Sequence, residues 1–161
     1  MSTVVLASHL PGEGHFRSER HRVLAVPCVA DTDYSQGWQA LWDTDLTIVG
    51  IEHDHPASDE LVQGLLDCPH SLCAWAYLLH MPSTGGASHY AQRDGGPNYG
   101  DWIKPGVRWC GFSGIGFCKI APEARVRSLA ESPWQIVDCA ISRATDGDWH
   151  VHWPAIDHFH R

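Results

Sequence analysis

The chain has 161 residues, 43% of them apolar, which is enough for one hydrophobic core and too few for two ordinary domains. Its 11 Lys and Arg against 19 Asp and Glu give a formal net charge of −8, which argues against broad electrostatic binding to nucleic acid or anionic membranes. No run approaches the ~20 apolar residues of a membrane span. We therefore expect one domain over residues 1–161, outside the membrane, with nucleic acid left open only as an acceptor.

The six cysteines bear on the expected compartment. The first residues lack the basic segment and the apolar stretch of a signal peptide, so we expect a cytoplasmic protein whose cysteines are reduced and mostly buried. Cys68 and Cys73 are separated by four residues, and no second CxxC pair completes a tetrahedral zinc site. A structural zinc site is the less favoured alternative.

The first half of the chain alternates between strand-like and helical segments. Residues 46–51 are the most strand-like of these, and Trp38, Leu41 and Trp42 have helical spacing. Ser58 is a predicted helix cap before an apolar stripe that reaches Leu66. The predicted strands are residues 3–7, 22–29, 46–51 and 72–79, and the predicted helices lie within 34–42 and 58–66.

The second half is less regular. Residues 81–106 are rich in Gly and Pro and predict a long loop, a feature that is usually functional or disordered. Residues 107–120 predict a strand or hairpin, 122–130 the start of a helix, and 135–141 a helix or strand. The alternation in the first half favours a single Rossmann-like, three-layer α/β domain with a mostly parallel sheet, in which ligands bind at the carboxyl ends of the strands.

Four ionisable residues follow the strand at 46–51, namely Glu52, His53, Asp54 and His55. If the strand continued through them, Glu52 and Asp54 would lie on one face and the two histidines on the other. Acids at the end of a buried strand are costly without a cationic partner, and a divalent metal ion would supply one. The alternative is a set of solvated polar residues at a strand end.

A second cluster of histidines lies near the C-terminus, at positions 150, 152, 158 and 160. A tail is mobile unless something holds it, and a metal ion shared with Asp54 would do so. The interleaved Trp149, Trp153, Ile156 and Phe159 favour packing over a solvated tail.

Asp138 lies within an apolar stretch, where desolvation would disfavour its charged form and suit it to act as a general base. A capping or ion-paired aspartate is the alternative. The nearby glycines of residues 111–116 give only a weak phosphate-loop signal.

With these residues in order, the chain resembles a compact, metal-dependent nucleotide-sugar glycosyltransferase of the A-type fold, whose sheet carries an Asp-x-Asp motif at a strand end. Glu52-His53-Asp54 stands at that place. The resemblance implies that Asp54 is a metal ligand, with His158 or His160 as a further ligand, and that the metal is Mn²⁺ or Mg²⁺. It also implies that Asp138 deprotonates the acceptor hydroxyl.

The same resemblance implies that Glu52, Asp31 and Ser8 contact the nucleotide-sugar donor. The expected reaction is sugar transfer from a nucleotide diphosphate to a hydroxyl acceptor. Two alternatives stay open: a metal-dependent hydrolase or oxygenase built on His53, His55 and the tail histidines, and a binding module without catalytic activity.

Overall fold

The structure is a computed structural model, and it describes residues 2–80, 87–95, 100–129 and 137–159, without the side chain of Asp31. Three α-helices were assigned in these ranges: α1 (Asp31–Trp42), α2 (Asp59–Leu66) and α3 (Val137–Ala144). The strands are β1 (Thr3–His9), β2 (Val23–Pro27), β3 (Thr47–Ile51), β4 (Leu72–His80), β5 (Ser88–Tyr90), β6 (Gln92–Arg93), β7 (Trp109–Cys110), β8 (Phe112–Ser113), β9 (Phe117–Ile120) and β10 (Trp149–Ile156).

The main sheet has the strand order β2-β1-β3-β9-β4-β10-β7, with β5 paired to β4, and β6 and β8 form a separate ribbon. Strands β1, β2 and β3 are mutually parallel, and β4 is parallel to β10. Strand β9 is antiparallel to both β3 and β4, so the three strands β1–β3 run in the same direction as the pair β4 and β10. The chain is thus a single α/β domain with a mixed, mostly parallel central sheet, as the sequence predicts.

Alternation along β1 divides the core into two layers. Val4 and Leu6 face the layer that contains Trp38 of α1 and Ile141 of α3. Their neighbours Val5 and Ala7 face the opposite layer, which contains Val62 and Leu65 of α2. Side chains of a strand point alternately to the two faces of a sheet, so an apolar run without polar interruptions is buried on both sides. This confirms the predicted three-layer arrangement of helices around the sheet.

Gly50 in β3 is required by the packing of α1. A Cβ atom built at Gly50 would collide with the ring of Trp38, which is fully buried in the core. The indole of Trp38 therefore lies directly on the backbone of β3 at this position, where only glycine fits without a shift of the ring.

Two predictions for the second half need correction. Within residues 81–106, the described part contains β5, β6 and a bridge between Arg93 and Trp102, so part of the predicted loop is ordered β-structure. The predicted helix start at 122–130 is only a short 3₁₀ turn, Pro122–Ala124. The C-terminal segment packs as its interleaved apolar residues predict: it begins with β10, which pairs with β4 and β7, and its apolar positions complete the core.

No described helix is long and apolar enough to cross a membrane.

Candidate functional site

The candidate site lies at the edge of the sheet where the parallel strands end. Strands β1, β3, β4 and β10 share one direction, so their carboxyl ends meet there, and β9 begins at the same edge. The backbone leaves β3 at Ile51, and the N–H of Glu52 then donates to the carbonyl of Gly116 at 2.8 Å. This edge is where open α/β sheets bind ligands.

Asp54 is the centre of the site. Its Oδ1 lies 2.9 Å from Nδ1 of His55, and its Oδ2 lies 2.9 Å from Nε2 of His158. Burial alone would raise the pKa of Asp54, but the hydrogen bond from His55 and the contact with His158 lower that pKa well below its usual value. The structure thus brings together Asp54 and His158, which are 104 residues apart in the sequence.

Two further contacts hold His158 in place. Its Nδ1 lies 3.1 Å from the carbonyl oxygen of Leu78, and the N–H of Phe159 donates to the main-chain oxygen of Asp54 at 2.7 Å. A carbonyl oxygen only accepts, so Nδ1 of His158 carries the proton. Either a second proton or a metal cation must then lie between Nε2 and the carboxylate of Asp54. Metal-binding histidines usually use their other ring nitrogen in this way, on a backbone carbonyl.

His55 was expected on the opposite side of an extended strand from Asp54, and that expectation is wrong. The chain turns after β3, and the N–H of His55 donates back to the carbonyl of Glu52 at 3.1 Å. Its imidazole is buried against Tyr77, with ring centroids 4.3 Å apart and nearly perpendicular planes. The turn therefore converts a predicted alternation into a direct contact between neighbouring side chains.

The environment of His55 defines its role. Burial lowers its pKa despite the hydrogen bond to Asp54, so the ring is neutral and donates Nδ1–H to that carboxylate. Its Nε2 is buried with no hydrogen-bond partner among the described residues. This side of the ring packs so closely on the backbone of Gly116 that a Cβ at that position would collide with it. Tyr77 accepts the N–H of Gly116 at 3.1 Å and fixes this loop. His55 thus orients Asp54 from behind, a contact that strand periodicity did not reveal.

Glu52 and Asp138 form an acidic pair. Burial raises the pKa of Asp138 to about 6, although hydrogen bonds from its own N–H and that of Ile115 partly offset this. Burial also raises the pKa of Glu52 well above its usual value, and the nearby charges of Asp138 and Asp54 add to the effect. Burial thus disfavours the charged form of both carboxyl groups.

The other predicted residues have different positions. Ser8 is buried at the end of β1, and its hydroxyl accepts the N–H of His53 at 3.0 Å, which braces the turn after β3. His53 itself is exposed. The backbone of Asp31 begins α1, while its side chain and all of His160 lie outside the described residues.

Two groups of side chains in the described structure can hold a metal ion. The first is Asp54, His55 and His158, whose ligand atoms all lie within 4.8 Å of one another. The second consists of two cysteines and two histidines that meet the same distance limit: Cys68, Cys73, His150 and His152. Of the histidines in the C-terminal cluster, His158 thus belongs to the first group, whereas His150 and His152 belong to the second.

No protein-family profile and no curated protein matches the sequence. Among solved structures, the chain is similar to A197 from STIV, with a TM-score of 0.58 and 14% sequence identity over 100% of this chain and 87% of that one. At this identity the likeness concerns the fold alone. It supports a single α/β domain with the mixed, mostly parallel sheet and flanking helices described above.

Proposed function

We propose that the protein is a glycosyltransferase that transfers a sugar from a nucleotide diphosphate donor to a hydroxyl acceptor with the aid of Mn²⁺ or Mg²⁺. The observation that carries the proposal is the contact between Asp54 and His158 at the carboxyl edge of the sheet, beside the acids Glu52 and Asp138. The α/β fold supports it, because the carboxyl edge of the sheet is where open α/β sheets bind ligands.

The residues fit a divalent cation. Octahedral ligands at 2.0–2.1 Å from Mg²⁺ lie about 2.9 Å apart along each edge, and Oδ2 of Asp54 and Nε2 of His158 are 2.9 Å apart. Asp54 and His158 would hold the ion, with His160 as a further candidate, and His55 would keep the carboxylate oriented. When bound, the cation would neutralise the negative charge that grows on the departing diphosphate.

Asp138 is suited to the proton transfer. A general base works best when its pKa lies near the operating pH, and the pKa of Asp138 is about 6. In the proposed step Asp138 takes the acceptor hydroxyl proton, the acceptor oxygen bonds to the anomeric carbon, and the bond from that carbon to the diphosphate breaks. Glu52 would contact the nucleotide-sugar donor. Asp31 and Ser8, the other proposed donor contacts, would act from the ends of α1 and β1.

The test is nucleoside diphosphate release from a panel of nucleotide sugars, with Mn²⁺ present or absent. We expect one donor to turn over, and we expect Asp54→Ala and Asp138→Asn each to lower turnover about 100-fold or more. Asp101→Asn changes an exposed aspartate elsewhere and is the matched control. Full turnover in both site variants would refute the assignment.

A metal-dependent hydrolase or oxygenase is the second candidate, because two imidazoles and one carboxylate are also ligands of zinc hydrolases and of iron oxygenases. Metal content separates the candidates when the wild type is compared with Asp54→Ala. Any metal bound by the cysteine-containing group is present in both proteins, so the difference between them reports the metal bound at Asp54. Tightly bound iron or zinc lost in the variant, with no stabilisation by any nucleotide diphosphate, would favour this second candidate. Stabilisation by a nucleotide that depends on Mn²⁺ would favour transfer.

A further inference from the structure

We propose that Cys68, Cys73, His150 and His152 form a structural Zn²⁺ site that joins the loop between α2 and β4 to the strand β10. The site is separate from the proposed catalytic centre and does not depend on the proposed activity. It uses two residues from each of two segments that are about 80 positions apart in the sequence.

Strand register brings these residues together. Strands β4 and β10 are parallel neighbours, and Cys73 is the direct partner of His150. His150 and His152 are two positions apart, so they share one face of β10. Trp149 and Val151 face the core layer of α1, and the two histidines therefore face the layer of α2, which also contains Cys68 and Cys73.

The distances are close to those of a tetrahedral zinc complex. Zinc bonds of about 2.0–2.1 Å to nitrogen and 2.3 Å to sulfur place two nitrogens about 3.4 Å apart, and a nitrogen and a sulfur about 3.6 Å apart. Nδ1 of His150 lies 3.4 Å from Nε2 of His152 and 3.4 Å from Sγ of Cys68. The sulfurs of Cys68 and Cys73 are 2.7 Å apart, so they would separate by about 1 Å, to the ~3.8 Å of a zinc dithiolate.

The donor set selects the metal. Two sulfur and two imidazole ligands are typical of structural zinc, whereas Mn²⁺ and Mg²⁺ prefer oxygen ligands. Nζ of Lys119 is buried beside the pair and donates to the carbonyl of Cys68 at 2.6 Å. Within the described ranges no carboxylate forms an ion pair with this ammonium. Metal-bound thiolates would supply negative charge close to it.

The neighbouring aromatic rings enclose the two imidazoles. The ring of Trp75 lies 5.1 Å from that of His152, and the ring of Trp109 lies 5.0 Å from that of His150, both measured between centroids. These indoles pack against the imidazoles, and the two cysteine side chains are buried beneath them. The site therefore has the closed character of structural zinc centres, in which all four positions are protein ligands.

The position of the site suggests what it does for the fold. Strand β10 carries His150 and His152 near its start, and His158 follows its end. A zinc ion at the start of the strand would anchor it to the α2–β4 loop and so help to hold the segment that delivers His158 to Asp54. Closing a long loop in this way constrains the unfolded chain and stabilises the native state.

The experiment measures metal content and stability of the full chain purified under reducing conditions. We expect about one zinc per chain in the wild type and in Asp54→Ala, and a zinc-dependent fall in unfolding temperature when a strong chelator is added. Cys73→Ser and His152→Gln should lose the zinc, whereas the matched controls Cys28→Ser and His53→Gln should keep it. Replacement by Co²⁺ should give the visible absorption of a tetrahedral thiolate complex.

Several results would overturn the proposal. They are zinc-free wild-type protein that does not take up added Zn²⁺, retention of zinc by the double variant Cys68→Ser/Cys73→Ser, and a disulfide between these cysteines in protein kept reduced. If the cysteine variants do not fold, His152→Gln and the Co²⁺ spectrum of the wild type decide the question. If the wild-type protein contains zinc but turns over no nucleotide sugar, the proposed function is refuted and the proposal of this zinc site stands.

Discussion

Asp138→Asn should make the protein more stable while it removes the proposed base. The pKa of Asp138 is about 6 in the folded protein against a reference of 3.8. Below both values the side chain is protonated in both states, and its ionisation does not affect stability. Between them the unfolded chain loses its proton first, so the folded state loses stability as the pH rises.

The magnitude follows from the two pKa values. Their difference of about 2, at about 1.4 kcal/mol for each pKa unit, corresponds to roughly 3 kcal/mol of destabilisation, complete above about pH 6. Asparagine cannot ionise, and its carbonyl oxygen can still accept the N–H of Ile115. For a chain of this size the gain corresponds to a rise of about 5 to 10 °C in the unfolding temperature.

The assay is thermal or urea unfolding of the wild type and of Asp138→Asn at matched ionic strength from pH 4 to 8. The difference between the two proteins should be near zero at pH 4, should grow until about pH 6 and should then stay constant. The low pKa of Asp54 makes both proteins lose stability in acid, and this loss cancels in the comparison. A difference that does not depend on pH, or a less stable variant above pH 6, would refute the reasoning.

Three further substitutions test the packing. Gly50→Ala should cost about 2 kcal/mol in a urea titration, because the new methyl group collides with Trp38; an unchanged midpoint would contradict this close approach. Arg125→Met should lower the free energy of unfolding by about 3 kcal/mol, because the guanidinium donates to four main-chain carbonyls between residues 41 and 46. If Arg125→Lys loses as much stability as Arg125→Met, the charge contributes little and the hydrogen bonds of the guanidinium account for the loss. Tyr77→Phe should cost about 1 kcal/mol, because it leaves the buried N–H of Gly116 without its acceptor, and hydrogen exchange at that amide should become faster.

The sequence by itself determined the elements of the first half. The apolar run that becomes β3 is buried at every position, so its composition alone predicts a central strand. Ser58 caps α2 as predicted, accepting the N–H of Leu61 at 3.3 Å. These predictions succeed because capping and strand burial are local properties that a few neighbouring residues decide.

The sequence also singled out Asp54, with His158 or His160 as its partner at a shared metal. A carboxylate after a buried strand and histidines in an apolar tail are both unusual where they stand, but only the structure decides that His158 is the histidine in contact with Asp54. The sequence could not assign the partner of His150 and His152, because that depends on which strand lies beside β10. Because His150 and His152 are two positions apart on a strand, the sequence predicts that they share a face of β10. Only the pairing of β10 with β4 places Cys73 beside His150.

The tertiary structure decided the rest. The turn after β3 places His55 behind Asp54, where continued strand alternation predicts the opposite face. The raised pKa of Asp138 depends on its burial, and the raised pKa of Glu52 depends on burial and on the charges of Asp138 and Asp54. Local patterns thus determine which segments become strands and helices. Contacts between segments that are far apart in the chain decide which side chains share a site and which charge states they favour, because burial and electrostatic coupling arise only when those segments pack together.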